Sequence, residues 1–314
     1  MNQSGRHCPQ SYRYAARDLA RPVELNTDTV YVVGGLYGNL EALQAVLAMA
    51  QREEGSVEVV FNGDFNWFNV DPASFEDVNR VVLRHVALRG NVETELAAEE
   101  PDAGCGYGYP DRVEEAEVRR SNAIFARLKS TAHRFPELRR RLGALRMSLV
   151  VEIGDIKVGV VHGDSEALNG WGFSHERLDD PTHWPWVRRS FDDAKVQIFA
   201  SSHTCLPVLR EYAFPEGQRV VINNGAAGMP NFSGMQCGLV SRISIRPVRH
   251  DVLYGVSMQG VYVQALPLLY DVSAWRRQFL MNWEPGTPAY DSYMDRIEHG
   301  PTFTVQQARD GPAR

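Results

Sequence analysis

Long hydrophobic runs are missing from this chain. The longest apolar stretches, such as Val30 to Val33 and Val158 to Val161, fall far short of the about 20 residues that a membrane helix needs. The opening residues contain neither a hydrophobic signal region nor a lipidation motif. The expectation is a soluble cytoplasmic protein with no membrane partner. Cysteine is scarce: Cys8, Cys105, Cys205 and Cys237 are widely spaced, match no zinc-finger pattern and do not form the dense framework of a small secreted domain. Reduced thiols follow. There is no basic excess either, since 33 Lys and Arg stand against 39 Asp and Glu for a net charge of -6. Apart from short clusters such as Arg139, Arg140 and Arg141, which read as a solvated helix face, the basic residues are scattered, and no nucleic-acid footprint results. Internal repeats and low-complexity segments are also absent.

What is present is enough apolar material, 44% of 314 residues, to fill the core of one large domain or of a domain with an accessory region. Residues 1–25 are polar and aromatic without a period and read as an arm lying on the domain. A main domain is expected over 26–245 and an accessory region over 246–314. The β-branched run at 29–33 ends in Gly34 and Gly35, and Leu40, Leu43, Val46, Leu47 and Ala50 then recur at helical spacing in a helix expected to stop at Gly55. A second buried strand at 57–61 ends in Asn62, Gly63 and Asp64. A helix over about 75–85 leads to a short strand before Asn91. This alternation predicts an α/β chain with a parallel-sheet core.

Residues 97–116 are acidic, rich in Gly and Pro and aperiodic, and read as a surface loop; a helical segment over 121–142 follows. The next stretch reads as a hairpin turning at Gly154 and Asp155 and delivering His162 at a strand end. Segment 164–190, with Trp171, Trp184 and Trp186, reads as a packed surface helix or as an insertion draped over the site. A strand at 196–200 ends in Ser201, Ser202 and His203, and another leads into the glycine-rich turn at Asn223 and Asn224. The C-terminal stretch "LPLLYDVSAWRRQFLMNW" is spaced as core or interface, packing on the second sheet or making a contact between two copies of the chain.

Asp64, Asn91, His162 and His203 each occupy a turn directly after an apolar run, where parallel sheets place their ligands. One carboxylate, one amide oxygen and two imidazoles form a mixed donor set suited to manganese, iron, zinc or nickel.

Here the chain resembles the calcineurin-like metallophosphoesterases, in the compact bacterial branch related to small phosphodiesterases. The resemblance spans about residues 29–230 and rests on "GGLYGNLEAL", "FNGDF", "LRGNVETE", "VVHGD" and "SSHTCLP", followed by "INNGAAGMP". It implies a four-layer αββα sandwich with mixed sheets. It also implies that Asp64 bridges two metals in the family arrangement and that Asn91, His162 and His203 complete the second metal site. Where the family has Asp and His in its first motif this chain has Gly35 and Tyr37, and Cys205 replaces the last histidine. All three departures belong to the first metal site, so the resemblance implies one divalent or trivalent transition metal and puts a second in doubt.

Two readings of Tyr37 and Cys205 stay open. They join Asp64 in a rebuilt first site as phenolate and thiolate, or they fill the vacated space. Asn39 and Asn66 read as contacts for a substrate phosphate or equally as a cap and a turn residue. Val92 stands where many members of the family carry a proton-donating histidine, and Glu93 beside it reads as a hydrogen-bond partner of the site or as a general acid. The function implied is metal-dependent hydrolysis of a small phosphodiester or phosphomonoester, with Asn91, His162, Tyr37 and Cys205 as catalytic candidates. The alternative is an inactive relative that binds a phosphorylated ligand or a protein partner.

Overall fold

Two β-branched runs set the architecture. Along Thr29–Val33, Val30 and Val32 face one way and Tyr31 and Val33 the other, and all of them are buried. A strand apolar on both faces must be covered on both. In the computed structural model, which describes residues 4–99, 104–248 and 251–310, that strand lies inside the first of two six-stranded sheets. Residues 1–3 of the expected arm, 100–103 of the expected surface loop, and 249–250 and 311–314 of the accessory region lie outside the described residues.

The second sheet contains β1 (Leu25–Asn26), β5 (Ser148–Ile153), β6 (Ile156–Val161), β7 (Ile198–Ser201), β8 (Val208–Phe214) and β9 (Gly217–Asn223), in the order β1-β5-β6-β7-β9-β8. The first contains β2 (Thr29–Val33), β3 (Val57–Asn62), β4 (Val86–Leu88), β10 (Gly238–Ser244), β11 (Tyr254–Met258) and β12 (Val261–Leu268), in the order β11-β12-β10-β2-β3-β4. The runs β2-β3-β4 and β6-β7-β9 are parallel, while β10 pairs antiparallel with both β2 and β12. Both sheets are therefore mixed rather than purely parallel.

Three hydrophobic clusters define four layers. Val30, Val32 and Val60 of the first sheet meet Val151, Val158, Val160 and Ile222 of the second, closing the sheets face to face. The outer face of the first sheet packs on α1 (Leu40–Ala50), α2 (Pro72–Val82), α3 (Asn91–Ala97), α4 (Glu115–Ala132), α5 (Pro136–Gly143), α8 (Val272–Asn282) and α9 (Pro288–His299). The outer face of the second packs on α6 (His175–Asp179), α7 (Trp184–Ala194) and Ala16 and Leu19 of the N-terminal segment. A short C-terminal helix, α10 (Val305–Arg309), is held by Arg210, whose guanidinium donates to the carbonyls of Ala308 and Gln307. Among the described residues no helix is long and apolar enough to cross a membrane.

Several sequence expectations shift. Helix α1 ends at Ala50 rather than Gly55, because Arg52 and Glu53 bond back to Met49 and Ala50 in turns and Glu53 is drawn inward to Arg242. Helix α2 starts earlier than expected, capped by Asp71, whose side chain accepts from the Ser74 amide at 2.8 Å. The single helix expected over 121–142 is two, because Pro136 lacks the amide needed to continue the first. The expected surface loop is no excursion where it is described: Cys105 is fully buried, and the Tyr107 ring packs 4.5 Å from that of His203. In segment 164–190, α7 is the packed helix, while Trp171 lines a cavity. The C-terminal aromatics Trp275, Phe279 and Trp283 enter the helical layer over the first sheet, not the second. Strands β1, β8 and β10 had no counterpart in the sequence reading.

Central β10 carries Arg242, fully buried and paired with Glu53 through two contacts of 2.6 and 2.9 Å; the Tyr31 hydroxyl donates to the same carboxylate at 2.5 Å. Replacing one partner leaves a charge in the core. Arg242→Met is expected to lower the unfolding free energy by about 3–5 kcal/mol in urea titration. A loss below about 1 kcal/mol would show that the pair does not hold α1 to the sheet.

Candidate functional site

The C-terminal ends of β3, β4, β6 and β7 lie side by side across the two sheets, and each is followed by one chemically active side chain. Gly63 and Asp64 follow β3, Gly90 and Asn91 follow β4, His162 follows β6, and His203 follows β7. The loops approach so closely that a Cβ at Gly90 would overlap Asp64 Oδ1 and come within 2.8 Å of His162 Cε1. Glycine is required there by space alone.

All four side chains converge on one atom. Asp64 Oδ2, Asn91 Oδ1 and His203 Nδ1 each lie 3.3 Å from His162 Nε2. Donor atoms about 2.0–2.2 Å from a shared ion stand about 2.8–3.6 Å apart in octahedral or tetrahedral coordination. The spacing fits. The outer polar atoms of three of these side chains are tied down. His162 Nδ1 donates to the Asn62 carbonyl at 2.7 Å, Asn91 Nδ2 to the Cys105 carbonyl at 2.9 Å, and His203 Nε2 to the Tyr107 carbonyl at 2.9 Å. Each bond aims the remaining lone pair at the common centre, which is how proteins orient metal-ligating histidine. Asp64, His162 and His203 also form the one group of three or more His, Cys, Asp or Glu ligands close enough to hold an ion among the described residues. This donor set fits a divalent metal.

The electrostatics follow from burial. His162, His203, Asn91 and Asp64 are all buried. Burial works to raise the Asp64 carboxyl, yet the adjacent His162 charge and hydrogen bond bring it below its ordinary value. Burial works to lower His162, and the Asp64 carboxylate outweighs it and raises the imidazole. His203, desolvated and beside the His162 charge, is pushed down to about 3 and stays neutral. Glu93 is pushed up to about 7 by burial and by Asp64. Its two oxygens accept from the amides of Asp64, Phe65 and Gly90 at 2.7, 3.1 and 3.0 Å, so it braces the two loops.

The other sequence candidates occupy different places. Gly35 has a left-handed φ of 63°, and a Cβ there would meet the Tyr37 ring and hydroxyl, both at 2.9 Å. Tyr37 thus fills the space into which a side chain at 35 would project. Its hydroxyl lies 2.9 Å from Cys205 Sγ, and burial raises the pKa of both groups, which keeps them as phenol and thiol. Asn39 is a buried helix cap: its oxygen accepts from the Ala42 amide and its nitrogen donates to the Gly228 carbonyl. Asn66 is buried too, exchanging hydrogen bonds with Asn79 and accepting one from Asn69. Neither asparagine lines the cavity.

That cavity, about 310 Å³, opens on Asp64 and Asn91 and is walled by Tyr37, Trp67, Tyr107, Tyr109, Trp171, Tyr293, Cys205 and Arg296 among others. Most of this wall was missed in the sequence. The "GYGYP" run that supplies Tyr107 and Tyr109 was a usable signal; for Arg296, far along the chain on α9, there was none.

In the protein without metal, the His162 proton faces Asp64, and an entering cation must displace it. Apparent Mn²⁺ affinity is therefore expected to fall as pH drops through the raised His162 pKa, by about tenfold per pH unit once the imidazolium predominates, with about one proton released per ion. Calorimetric titration in buffers of different ionisation enthalpy measures both. An affinity flat between about pH 5.5 and 8 would contradict the arrangement.

No family model and no curated protein matches the chain. Solved structures do. A hypothetical protein from Pyrococcus horikoshii OT3 is similar with a TM-score of 0.59 at 17% identity, covering 89% of this chain and 100% of its own. A metallophosphoesterase from Sphaerobacter thermophilus is similar with a TM-score of 0.53 at 17% identity, covering 87% of this chain and 100% of its own. Together with the paired mixed sheets and their helical layers, this likeness establishes the architecture: the chain has a metallophosphoesterase sandwich fold.

Proposed function

We propose that this protein is a metal-dependent phosphoric ester hydrolase that works with one retained metal site on a small phosphodiester or phosphomonoester. The observation that carries the reading is the convergence of Asp64, Asn91 and His203 on His162 Nε2, with Asp64 and Asn91 lining a cavity sized for a small molecule. Asp64, Asn91, His162 and His203 would hold the ion, and manganese, iron, zinc and nickel all suit these donors. When bound, it supplies Lewis-acid polarisation of a phosphoryl oxygen and acidifies water.

The remaining chemistry belongs to the chain. The buried carbonyls of Asn62, Cys105 and Tyr107 hold the donors in place before any ligand arrives. On this reading the first metal site of the family is dismantled, with Tyr37 and Cys205 bonded to each other in its place. The loop carrying Asn91 offers no proton donor to a leaving group, because Val92 is apolar and Glu93 is engaged with backbone amides. A cytoplasmic setting, in which the Cys205 thiol stays reduced, is part of the same proposal.

The test is hydrolysis of a nitrophenyl phosphodiester and a nitrophenyl phosphomonoester by protein supplemented with Mn²⁺. Turnover is expected on at least one, reduced about 100-fold or more in His162→Ala and little changed in Asn39→Ser, which keeps a capping oxygen. Turnover that survives His162→Ala would place the chemistry elsewhere. Metal binding without turnover on either ester would leave a ligand-binding protein in place of an enzyme.

A further inference from the structure

Half of the cavity wall belongs to none of the four donor loops. Arg296, in the last turn of α9, is the one cation among the cavity-lining residues. Its Nε donates to the Pro230 carbonyl at 3.0 Å and its Nη2 to the Cys205 carbonyl at 2.8 Å, so the guanidinium is held as a fixed fork. Among the described residues no carboxylate pairs with it. Glu117, the other acid in the wall besides Asp64, is already paired with Arg120 at 2.5 Å. A half-buried cation facing a cavity without a counter-charge suits an anionic ligand.

The charge count agrees. A divalent ion beside the Asp64 carboxylate leaves one net positive charge, whereas a phosphomonoester carries about −1.5 to −2 at neutral pH. Arg296 supplies the difference. Near Arg296 the wall is rich in aromatic rings: the Tyr107 ring lies 4.5 Å from that of Tyr109 and meets Trp171 edge-on at 5.3 Å, and Trp67 and Tyr293 add two more. A flat apolar substituent can stack on these rings.

We propose that this half of the cavity is a binding site for an aryl phosphate ester, with Arg296 receiving the phosphoryl oxygens and the ring wall the aromatic substituent. The assignment rests on the hydrolase reading for the class of ester. It also answers the missing proton donor: water oxygen bonds to phosphorus as the bond from phosphorus to the aryl oxygen breaks, and the aryloxide leaves as an anion that takes its proton from solvent.

Binding of two compounds that cannot be hydrolysed, phenylphosphonate and methylphosphonate, to the Mn²⁺-loaded and the metal-free protein tests it by titration calorimetry. Phenylphosphonate is expected to bind about tenfold more tightly than methylphosphonate. Arg296→Gln is expected to weaken both about tenfold or more while keeping that preference and leaving Mn²⁺ affinity unchanged. Trp171→Leu is expected to erase the preference without weakening methylphosphonate. Should Arg296→Gln melt early, Arg296→Lys, which keeps the charge and loses the fork, is expected to bind both at intermediate affinity. Equal affinities for the two phosphonates, undiminished affinity in the Arg296 variants, or no binding by the wild-type protein would overturn the proposal. Binding as expected with no turnover of nitrophenyl esters would sustain it and remove the hydrolase reading alone.

Discussion

The site depends on the inward aim of His162 Nε2. That aim is set by a single bond, from Nδ1 to the Asn62 carbonyl at the end of β3, so the strand that delivers Asp64 also fixes the imidazole arriving from the other sheet. The two sheets must be packed face to face for this contact to exist. The valines of the sheet interface therefore act on the site indirectly: they hold β3 against β6 closely enough for the backbone of one strand to orient a side chain from the other.

A second constraint is charge. Four polar groups meet in a buried place, and an isolated carboxylate there would be costly. Without metal, the His162 proton offsets Asp64; with metal, the ion does the same. The arrangement thus tolerates both states and leaves His203 neutral in each, ready to donate a lone pair. Beside this cluster, Tyr37, whose amide bonds the Asp64 carbonyl, and Cys205, whose thiol lies 3.3 Å from the His203 carbonyl, meet a different requirement. They fill space and satisfy each other, which removes any need for a cation between them.

Much of this was legible in the sequence for a local reason. Asp64, Asn91, His162 and His203 each follow an apolar run that announces a buried strand, so position and chemistry were readable together. The accompanying roles were not. Asn39 and Asn66 are as consistent with phosphate contact as with buried capping, and their neighbours in space, Gly228 and Asn79, decided between the two. Strand β10 was invisible because Ser241, Arg242 and Ser244 look solvent-facing until Glu53 and Thr29 are seen to partner Arg242 and Ser244. Arg296 and Tyr293 reach the cavity only through the packing of α9 on α4. Nothing local to residues 288–299 announces that contact.

One claim governs the rest: a single ion is held by the cluster around His162, with none between Tyr37 and Cys205. Equilibrium dialysis against Mn²⁺ followed by elemental analysis tests it directly. The account predicts about one ion per chain, retained in Cys205→Ala and lost in the Asp64→Ala, His203→Ala double variant. Two ions per chain, or one that disappears with Cys205, would contradict it.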